Sequence, residues 1–300
     1  MGPARQPLFR GTAPALVTPF TPDGRAIDEA AFRALIDFQI GGSSWGGEAY
    51  DGVEALVVLG TTGENPTVTD GERRRLVDLT LEHTAGRVPV IVGTGTNSTA
   101  ETVTFSREAA EAGADGLLVV GPYYNKPTPA GVRAHLAAVA DVTDCPIILY
   151  NVPGRTGSNL TAETTLSVLD LVPSVVGVKE ASGDLNQIAD LLAHAPDGVA
   201  VYSGDDDLAL PTVALGADGL ISVIANAAPG PVASWRRFIR QKSRNAFKSA
   251  FPSLAKAPSS GLLNLFKIVS TSPVMSTGPT LRRFASGSTC SNKTSRKARR

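Results

Sequence analysis

The feature that most constrains the fold of this 300-residue chain is an alternation of short apolar runs with segments of helical periodicity. Eight of these runs, rich in β-branched residues, have the length and composition of buried strands. They are Ala13–Val17, Ala55–Leu59, Val88–Val92, Gly116–Val120, Pro146–Tyr150, Ser174–Val178, Gly198–Tyr202 and Gly219–Val223. Repeated strand–helix units over about 220 residues predict a (β/α)8 TIM barrel.

Signals at the helix ends agree with this pattern. The spacings Thr69 to Glu72 and Ser98 to Glu101 predict capping boxes, in which the hydroxyl and the carboxylate each bind the other residue's backbone amide. A doubly wound sheet is the alternative fold. The turn that follows the first predicted strand, residues 18–22, lacks the glycines that a dinucleotide or phosphate site requires, so the barrel is favoured.

The formal net charge of zero is the sum of two unlike regions. Residues 1–230 contain 13 basic and 28 acidic side chains, whereas residues 231–300 contain 15 basic and no acidic ones. We therefore expect a barrel over residues 1–230, followed by an atypical basic C-terminal segment over residues 231–300. Three origins of this segment stay open: a slipped reading frame, which is favoured, a diverged helical cap or, least favoured, a tail that binds nucleic acid.

Composition excludes several other classes of protein. Two cysteines, Cys145 and Cys290, cannot build a disulfide framework or a four-cysteine zinc site. No apolar run approaches the roughly 20 residues that span a bilayer, and the N-terminus has no signal-peptide core. No His, Asp and Glu cluster has metal-ligand spacing. We expect a cytoplasmic protein that uses neither a metal nor a membrane.

In a barrel, reactive groups lie at the C-terminal ends of the strands. Lys179 closes the apolar run that ends at Val178, and residues 1–230 contain only one other lysine, Lys126. Desolvation there favours the neutral amine, which can attack a carbonyl and form a Schiff base. The alternative is a lysine that extends to solvent or pairs with Glu180.

Other strand ends offer groups that suit the same chemistry. Tyr150 closes the preceding strand and can transfer protons, although it can also be a core aromatic. Thr61 and Thr62 offer hydroxyls and backbone amides for a carboxylate, or they form an ordinary polar turn. Arg155 follows a Pro-Gly pair, and its planar guanidinium suits a second carboxylate, unless it is simply a surface arginine.

Five ordered segments at these strand ends resemble the dihydrodipicolinate synthase family of pyruvate-Schiff-base aldolases. They are Gly60–Glu64, Tyr123–Pro127, Tyr150–Gly157, Gly177–Ala181 and Ser203–Asp206. The resemblance runs from about Gly11 to about Gly230. It implies a lyase of lysine and diaminopimelate biosynthesis that condenses pyruvate with L-aspartate 4-semialdehyde to give 4-hydroxy-tetrahydrodipicolinate. It also implies a homotetramer of paired dimers, with no cofactor beyond the covalent Schiff base.

The resemblance assigns roles to individual residues. Lys179 would form the Schiff base, and Tyr150 would be the acid and base, linked through Thr61 to Tyr124 of a neighbouring subunit. The amides of Thr61 and Thr62 would hold the pyruvate carboxylate. The remaining substrate-binding residues would be Arg155, which would bind the aldehyde's carboxylate, and Gly204, Asp205 and Ile221, which would line the pocket.

Two other functions remain open at this point. A related pyruvate-dependent aldolase would act on a 2-keto-3-deoxy sugar acid, a substrate that need not offer a carboxylate to Arg155. An inactive barrel whose basic tail binds nucleic acid is the third candidate, and such binding would depend on salt.

The chain departs from the family in three places. The connection Gly41–Asp51 is longer than usual. The lysine feedback site of inhibited relatives is only partly matched. Arg73 stands where a histidine is characteristic and Asp70 also differs, although Asn97, Glu101 and Tyr123 fit, and we therefore predict weak or no inhibition by lysine. Finally, no motif of the family's C-terminal helices is found after about Pro231.

Overall fold

The computed structural model describes residues 5–45 and 48–234, so most of the basic segment lies outside the described residues. Eight parallel strands form one sheet that curls into a barrel, which confirms the predicted fold. The strands are β1 (Gly11–Pro14), β2 (Leu56–Val58), β3 (Val90–Gly93), β4 (Gly116–Val120), β5 (Ile147–Asn151), β6 (Val175–Glu180), β7 (Ala200–Ser203) and β8 (Gly219–Ser222). Each overlaps a predicted run.

Neighbouring strands pair in chain order from β2 to β8, and β8 pairs with β1. The barrel is nearly closed: β1 and β2 meet at one parallel bridge, between Ala15 and Val57. The Leu16 amide donates to the Val57 carbonyl there, at 2.9 Å. Because all eight strands are parallel, their C-terminal ends meet at one rim, and side chains that follow them converge.

Helices cover the outer face of the barrel. They are α1 (Glu29–Ile40), α2 (Asp70–Thr84), α3 (Thr99–Glu111), α4 (Pro129–Ala140), α5 (Pro153–Thr156), α6 (Ala162–Leu171), α7 (Leu185–His194), α8 (Ala209–Leu215) and α9 (Pro229–Ala233). Phe32 and Ile36 of α1 are fully buried against this layer, one helical turn apart. A second cluster fills the barrel interior, where Phe9 and Tyr202 stack at 4.3 Å.

The helix starts follow the sequence signals with one difference. Thr69 and Glu72 form the predicted capping box, each binding the other's amide. Ser98 also accepts a hydrogen bond from the Glu101 amide, at 3.3 Å. The Glu101 carboxylate, however, accepts from the hydroxyl of Thr96 at 3.3 Å. The second capping box is therefore half formed, because the Glu101 carboxylate binds the Thr96 hydroxyl and not the Ser98 amide.

The long Gly41–Asp51 connection contains a small antiparallel hairpin. Ser43–Trp45 pairs with Glu48–Tyr50, with Ser43 opposite Tyr50. Elsewhere, His135 of α4 is buried, with 3% of its surface exposed. No helix in the described ranges is long and apolar enough to cross a membrane.

Candidate active site

A cavity of about 330 Å³ opens at the C-terminal rim of the barrel. Groups at or just after the C-terminal ends of β2, β5, β6, β7 and β8 line it, as expected for a barrel. The lining residues are Thr61, Thr62, Tyr150, Val152, Arg155, Lys179, Gly204, Asp205, Asp206, Asp207, Val223 and Ile224. Seven of the nine residues predicted for the site therefore lie together.

Lys179 projects from β6 into this cavity, directly opposite Tyr150 of β5 in the strand register. Its Nζ lies 4.3 Å from the centroid of the Tyr150 ring. The side chain is only 4% exposed, so it does not extend to solvent. Burial lowers its pKa to about 8, although Asp205 and Asp206 oppose the shift. At pH 7 about a tenth of the amine is therefore in its neutral, nucleophilic form, and the share rises with pH.

The alternative pairing of Lys179 with Glu180 is wrong. Within residues 5–45 and 48–234, no ion pair of 4.0 Å or less reaches Lys179. Glu180 instead accepts hydrogen bonds from Asn151, Ser182 and Gln187. Successive residues of a strand point to opposite faces, so the two side chains lie on different sides of the barrel wall.

Gly204 makes room for the lysine. A Cβ added at this position would lie 3.0 Å from Cε of Lys179 and 2.7 Å from Cβ of Ala181. Its amide donates to the Glu180 carbonyl at 2.7 Å, which holds the loop after β7 close to β6. Glycine is therefore favoured here chiefly by the close approach of Ala181 Cβ, and any larger residue would also displace the Lys179 side chain.

Tyr150 is as buried as the lysine that it faces. Burial raises the pKa of its phenol to about 12, partly opposed by the Arg155 charge and by a hydrogen bond with the Thr61 side chain. The phenol is therefore protonated at neutral pH and can donate to a developing hydroxyl group. Its contact with Thr61 corresponds to the first part of the Tyr150–Thr61–Tyr124 link that the family resemblance implies.

The Thr61–Thr62 turn is a short 3₁₀ helix, Thr61–Gly63, at the end of β2. The residue before Gly60, Leu59, has a φ of 56° despite its side chain, a strained conformation that concentrates at functional sites. The Thr18 hydroxyl donates to the Gly63 carbonyl at 2.7 Å and anchors the turn. The first amides of a helix have no intrahelical partner, so those of Thr61 and Thr62 can serve an anion.

Arg155 and Asp205 bring opposite charges to the cavity. Arg155 lies on α5, and among the described residues it makes no ion pair of 4.0 Å or less. Its fork is therefore open to a bidentate carboxylate. Burial, together with Asp207 and Asp206, raises the pKa of Asp205, which Lys179 and Arg155 partly offset.

Two predicted site residues lie elsewhere. Tyr124 is 87% exposed, has a φ of 71° and is not among the residues lining the cavity. Ile221 lies within β8 and is fully buried in the interior cluster. Val223 and Ile224, which follow the same strand, line the cavity in its place.

Sequence reasoning missed Asp206, which shapes the same wall. Its carboxylate accepts hydrogen bonds from the amides of Val223 and Ile224, at 3.0 and 3.1 Å, and from the Ser222 hydroxyl at 2.5 Å. The run of three consecutive acids after Gly204 was the available signal.

Three of the residues compared with a lysine feedback site, Asp70, Glu101 and Tyr123, lie near enough to Arg73 to influence its charge. Arg73 is buried on α2, its guanidinium lies 4.0 Å from the Phe105 ring centroid, and it donates to the Asn65 carbonyl at 3.2 Å. Burial lowers its pKa, whereas the charges of Asp70, Tyr123 and Glu101 act to raise it. A cation therefore occupies this position. No group of three or more possible metal ligands occurs in the part of the chain that the structure describes.

The fold and the site define the class of (β/α)8 barrel enzymes with a buried lysine at a strand end. The model of the dihydrodipicolinate synthetase family matches residues 8–269. The chain therefore belongs to this family. The match extends past Gly230, where the motif resemblance ended, so the relationship reaches further than the motifs indicated.

Curated relatives and solved structures agree with this assignment. A 4-hydroxy-tetrahydrodipicolinate synthase of Salinibacter ruber is 64% identical over 228 residues, covering 76% of this chain and 72% of the relative. One from Syntrophotalea carbinolica is 43% identical over 269 residues, covering 89% and 85%. The structure of the synthase from Methylacidiphilum fumariolicum SolV matches with a TM-score of 0.72 and 34% identity, covering 88% and 83%.

Proposed function

We propose that this chain condenses pyruvate with L-aspartate 4-semialdehyde, releasing 4-hydroxy-tetrahydrodipicolinate and one water molecule in lysine and diaminopimelate biosynthesis. The observation that carries the proposal is the buried amine of Lys179, 4.3 Å from the Tyr150 ring, in a cavity that Arg155 and the Thr61–Thr62 turn also line. The family assignment and the names of the relatives support the choice of substrates.

In the first half of the reaction, the neutral amine of Lys179 attacks the carbonyl carbon of pyruvate. The carbinolamine loses water to form an imine, and Tyr150, whose phenol is protonated, supplies the proton for the departing hydroxyl. The amides of Thr61 and Thr62 hold the pyruvate carboxylate. No metal or further cofactor takes part, because the protonated imine is itself the electron sink.

In the second half, the Tyr150 phenolate left by this proton transfer removes a methyl proton and gives an enamine, whose carbon attacks the aldehyde carbon of the second substrate. The aldehyde oxygen takes that proton from Tyr150 and becomes the product hydroxyl. The amino group of the same substrate then attacks the imine carbon, closes the ring, releases Lys179 and returns a proton to Tyr150. Arg155 binds the substrate carboxylate, while Gly204 and Asp205 line this end of the cavity.

Borohydride trapping tests the mechanism directly. Reduction in the presence of pyruvate is expected to attach the reduced pyruvate unit to Lys179, located by peptide mass spectrometry. The Lys179→Met variant is the matched control and is expected to take up no adduct. An adduct at Lys126, or none at all in the folded wild-type protein, would refute the assignment.

The identity of the second substrate is tested by assaying the two candidate substrates separately. The protein is expected to turn over L-aspartate 4-semialdehyde and to leave a 2-keto-3-deoxy sugar acid uncleaved. Arg155→Gln is expected to raise KM for the semialdehyde about 100-fold while the pyruvate KM changes little, because it removes a bidentate carboxylate contact. Preferred turnover of the sugar acid would instead support the related aldolase.

We further propose that Tyr124 completes the site of a neighbouring subunit in a homotetramer of paired dimers. Tyr124 is a large exposed aromatic on a left-handed backbone, and strained backbone of this kind concentrates at functional sites, which supports this role. Mixed assemblies of Tyr124→Phe and Lys179→Met subunits are expected to recover activity that neither variant has alone. Failure to recover in a verified mixed dimer would place Tyr124 outside the site.

For the domain organisation, we propose that residues 1–230 form the catalytic barrel of a cytoplasmic enzyme. Residues 231–300 would correspond to the family's helical cap, altered in sequence by divergence or by a slipped frame. The family match through residue 269 supports a cap origin. An independent read of the gene distinguishes the two, since family-like sequence in another frame is expected only after a slip. Salt-dependent nucleic-acid binding, lost on deletion of residues 231–300, would favour the tail.

A further inference from the structure

The outer face of β5 and β6 carries a second pair of buried polar side chains. In the strand register Asn151 lies opposite Glu180, one step beyond Tyr150 and Lys179. Because side chains alternate along a strand, this second pair faces the helices while the first faces the cavity. Asn151 and Glu180 are each 1% exposed.

Glu180 is held entirely by neutral donors. Asn151 Nδ2 donates to both carboxylate oxygens, at 3.0 and 3.1 Å. The Ser182 amide donates at 2.7 Å, and Gln187 Nε2 donates at 3.2 Å from α7. Burial raises the pKa of the carboxyl group, and these hydrogen bonds oppose the shift. The position therefore calls for a side chain with two acceptor oxygens.

Asn151 extends the network to the loop after α5. Its Oδ1 accepts from the Leu160 amide at 3.0 Å, while Nδ2 also lies 3.2 Å from the Leu160 carbonyl and 2.9 Å from Oδ1 of Asn159. The Ala181 amide donates to the Asn151 carbonyl at 2.9 Å. The ends of both strands are therefore joined to each other, to a loop and to a helix.

The pairing of β5 with β6 needs such a lock. Their register shifts between Ile147 and Ile148, so the lower part of the ladder does not by itself fix the alignment of the upper part. A slip of one residue would exchange the two faces and turn Lys179 away from the cavity. The Asn151–Glu180 pair lies above the irregularity, next to the residues whose alignment matters.

We infer that Asn151 and Glu180 are positioning residues, which hold β5 and β6 in the register that sets the Lys179 amine against the Tyr150 ring. This inference rests on the proposed function. The pair acts through Lys179 and Tyr150 and touches no substrate. Small displacements of reacting groups cost large factors in rate, so the lock contributes to turnover as well as to stability.

The test uses variants that change donors and acceptors but keep the side-chain size. Glu180→Gln sets an amide against a ring of donors, and Asn151→Asp sets two carboxylates face to face. The double variant Asn151→Asp/Glu180→Gln restores one donor–acceptor pair with reversed polarity. Ser106→Ala is the control, because it removes a buried 2.9 Å hydrogen bond to Thr94 away from these strands.

Each variant is measured for the pH dependence of pyruvate trapping by borohydride and, separately, for Tm. The wild-type midpoint is expected near pH 8, the pKa of the buried amine. Each single variant is expected to raise the midpoint by about one pH unit, because a displaced lysine regains water. The double variant is expected to recover at least half of that shift. Ser106→Ala is expected to lower Tm and leave the midpoint unchanged.

The inference would be overturned if the single variants have a lower Tm but keep the wild-type pH midpoint and trapping rate. Asn151 and Glu180 would then contribute to stability alone. If the singles fail to fold, Gln187→Leu removes one outer donor and is expected to give a smaller shift in the same direction; no shift there also overturns it. A folded wild-type protein that traps no pyruvate instead refutes the proposed function.

Discussion

Lys179 and Glu180 are adjacent in sequence and both are buried at the end of β6, yet their surroundings differ completely. The inner residue faces a cavity and has no ion pair of 4.0 Å or less within the described residues, and burial lowers its pKa. The outer residue accepts hydrogen bonds from three neighbouring residues. An ionisable group that is buried without an ion pair stays reactive. One that is buried with a full set of hydrogen-bond partners instead stabilises the fold.

The largest effect is expected from removing the amine of Lys179. Lys179→Met is expected to lower kcat/KM by about 10³-fold or more, because the nucleophile is lost. The free energy of unfolding is expected to stay level or rise, since methionine keeps the aliphatic stem and removes a buried, unpaired amine. Steady-state kinetics and urea unfolding check the two parts. A marked loss of stability would show that the amine has structural partners after all.

The next largest effect is expected from removing the carboxylate of Glu180. Glu180→Ala is expected to cost about 3 kcal/mol of stability, because Asn151, Ser182 and Gln187 are left as buried donors without their acceptor. Urea unfolding measures this directly. Unlike Lys179→Met, this variant is expected to lose stability. A change in the free energy of unfolding below about 0.5 kcal/mol would mean that water replaces the hydrogen bonds of Glu180 at no cost.

The third prediction concerns a substitution that crowds the Lys179 side chain but keeps its amine. Gly204→Ala is expected to lower kcat about 10- to 100-fold, because the new Cβ would press on Cε of Lys179 and displace the amine. Gly154→Ala is the matched control in a neighbouring loop, since nothing lies within 4 Å of a Cβ added there. Equal activity in both variants would contradict the close packing of Gly204 on the lysine.

The fourth prediction concerns pH. The folded-state pKa of Lys179 is about 8, below its ordinary value of 10.5, so its burial cost is fully present below pH 8. Between these values the unfolded chain binds more protons than the folded one, and stability rises with pH. The wild-type protein is therefore expected to gain stability relative to Lys179→Met as pH increases from 8 to 10, measured by urea unfolding at each pH. A constant difference would mean that the lysine is solvated.

The smallest expected effect extends the comparison to Arg73, a third buried charge. Like Glu180, it is held by its surroundings, through Phe105 and the Asn65 carbonyl. Its charge repels a cationic ligand, so millimolar lysine is expected to change the condensation rate by less than about twofold. Initial rates across a lysine titration measure this. Arg73→His is the informative variant, and strong inhibition of the wild-type protein would contradict the argument.

The sequence predicted the barrel because apolar β-branched runs recur at regular intervals, and it predicted Lys179 and Tyr150 because each closes such a run. It did not predict the surroundings of Glu180, because Asn151 and Gln187 meet it only after β5 and α7 have packed beside β6. Ile221 shows a related limit: strand alternation and the position of the β8 end decide whether a residue lines the cavity or the interior. The half-formed cap at Ser98 depends on Thr96, a competitor that the spacing rule does not consider.

The seam between β1 and β2 has a consequence for how the barrel exchanges its amide hydrogens. In the part of the chain that the structure describes, the Ala15–Val57 bridge and a hydrogen bond from the Glu54 amide to the Thr12 carbonyl join this seam, whereas β5 and β6 share five paired positions. The Leu16 amide is therefore expected to exchange with deuterium faster than the amides between β5 and β6, because fewer bonds must open together. The barrel would then loosen first beside the Thr61–Thr62 turn, while the strands that carry Tyr150 and Lys179 stay closed.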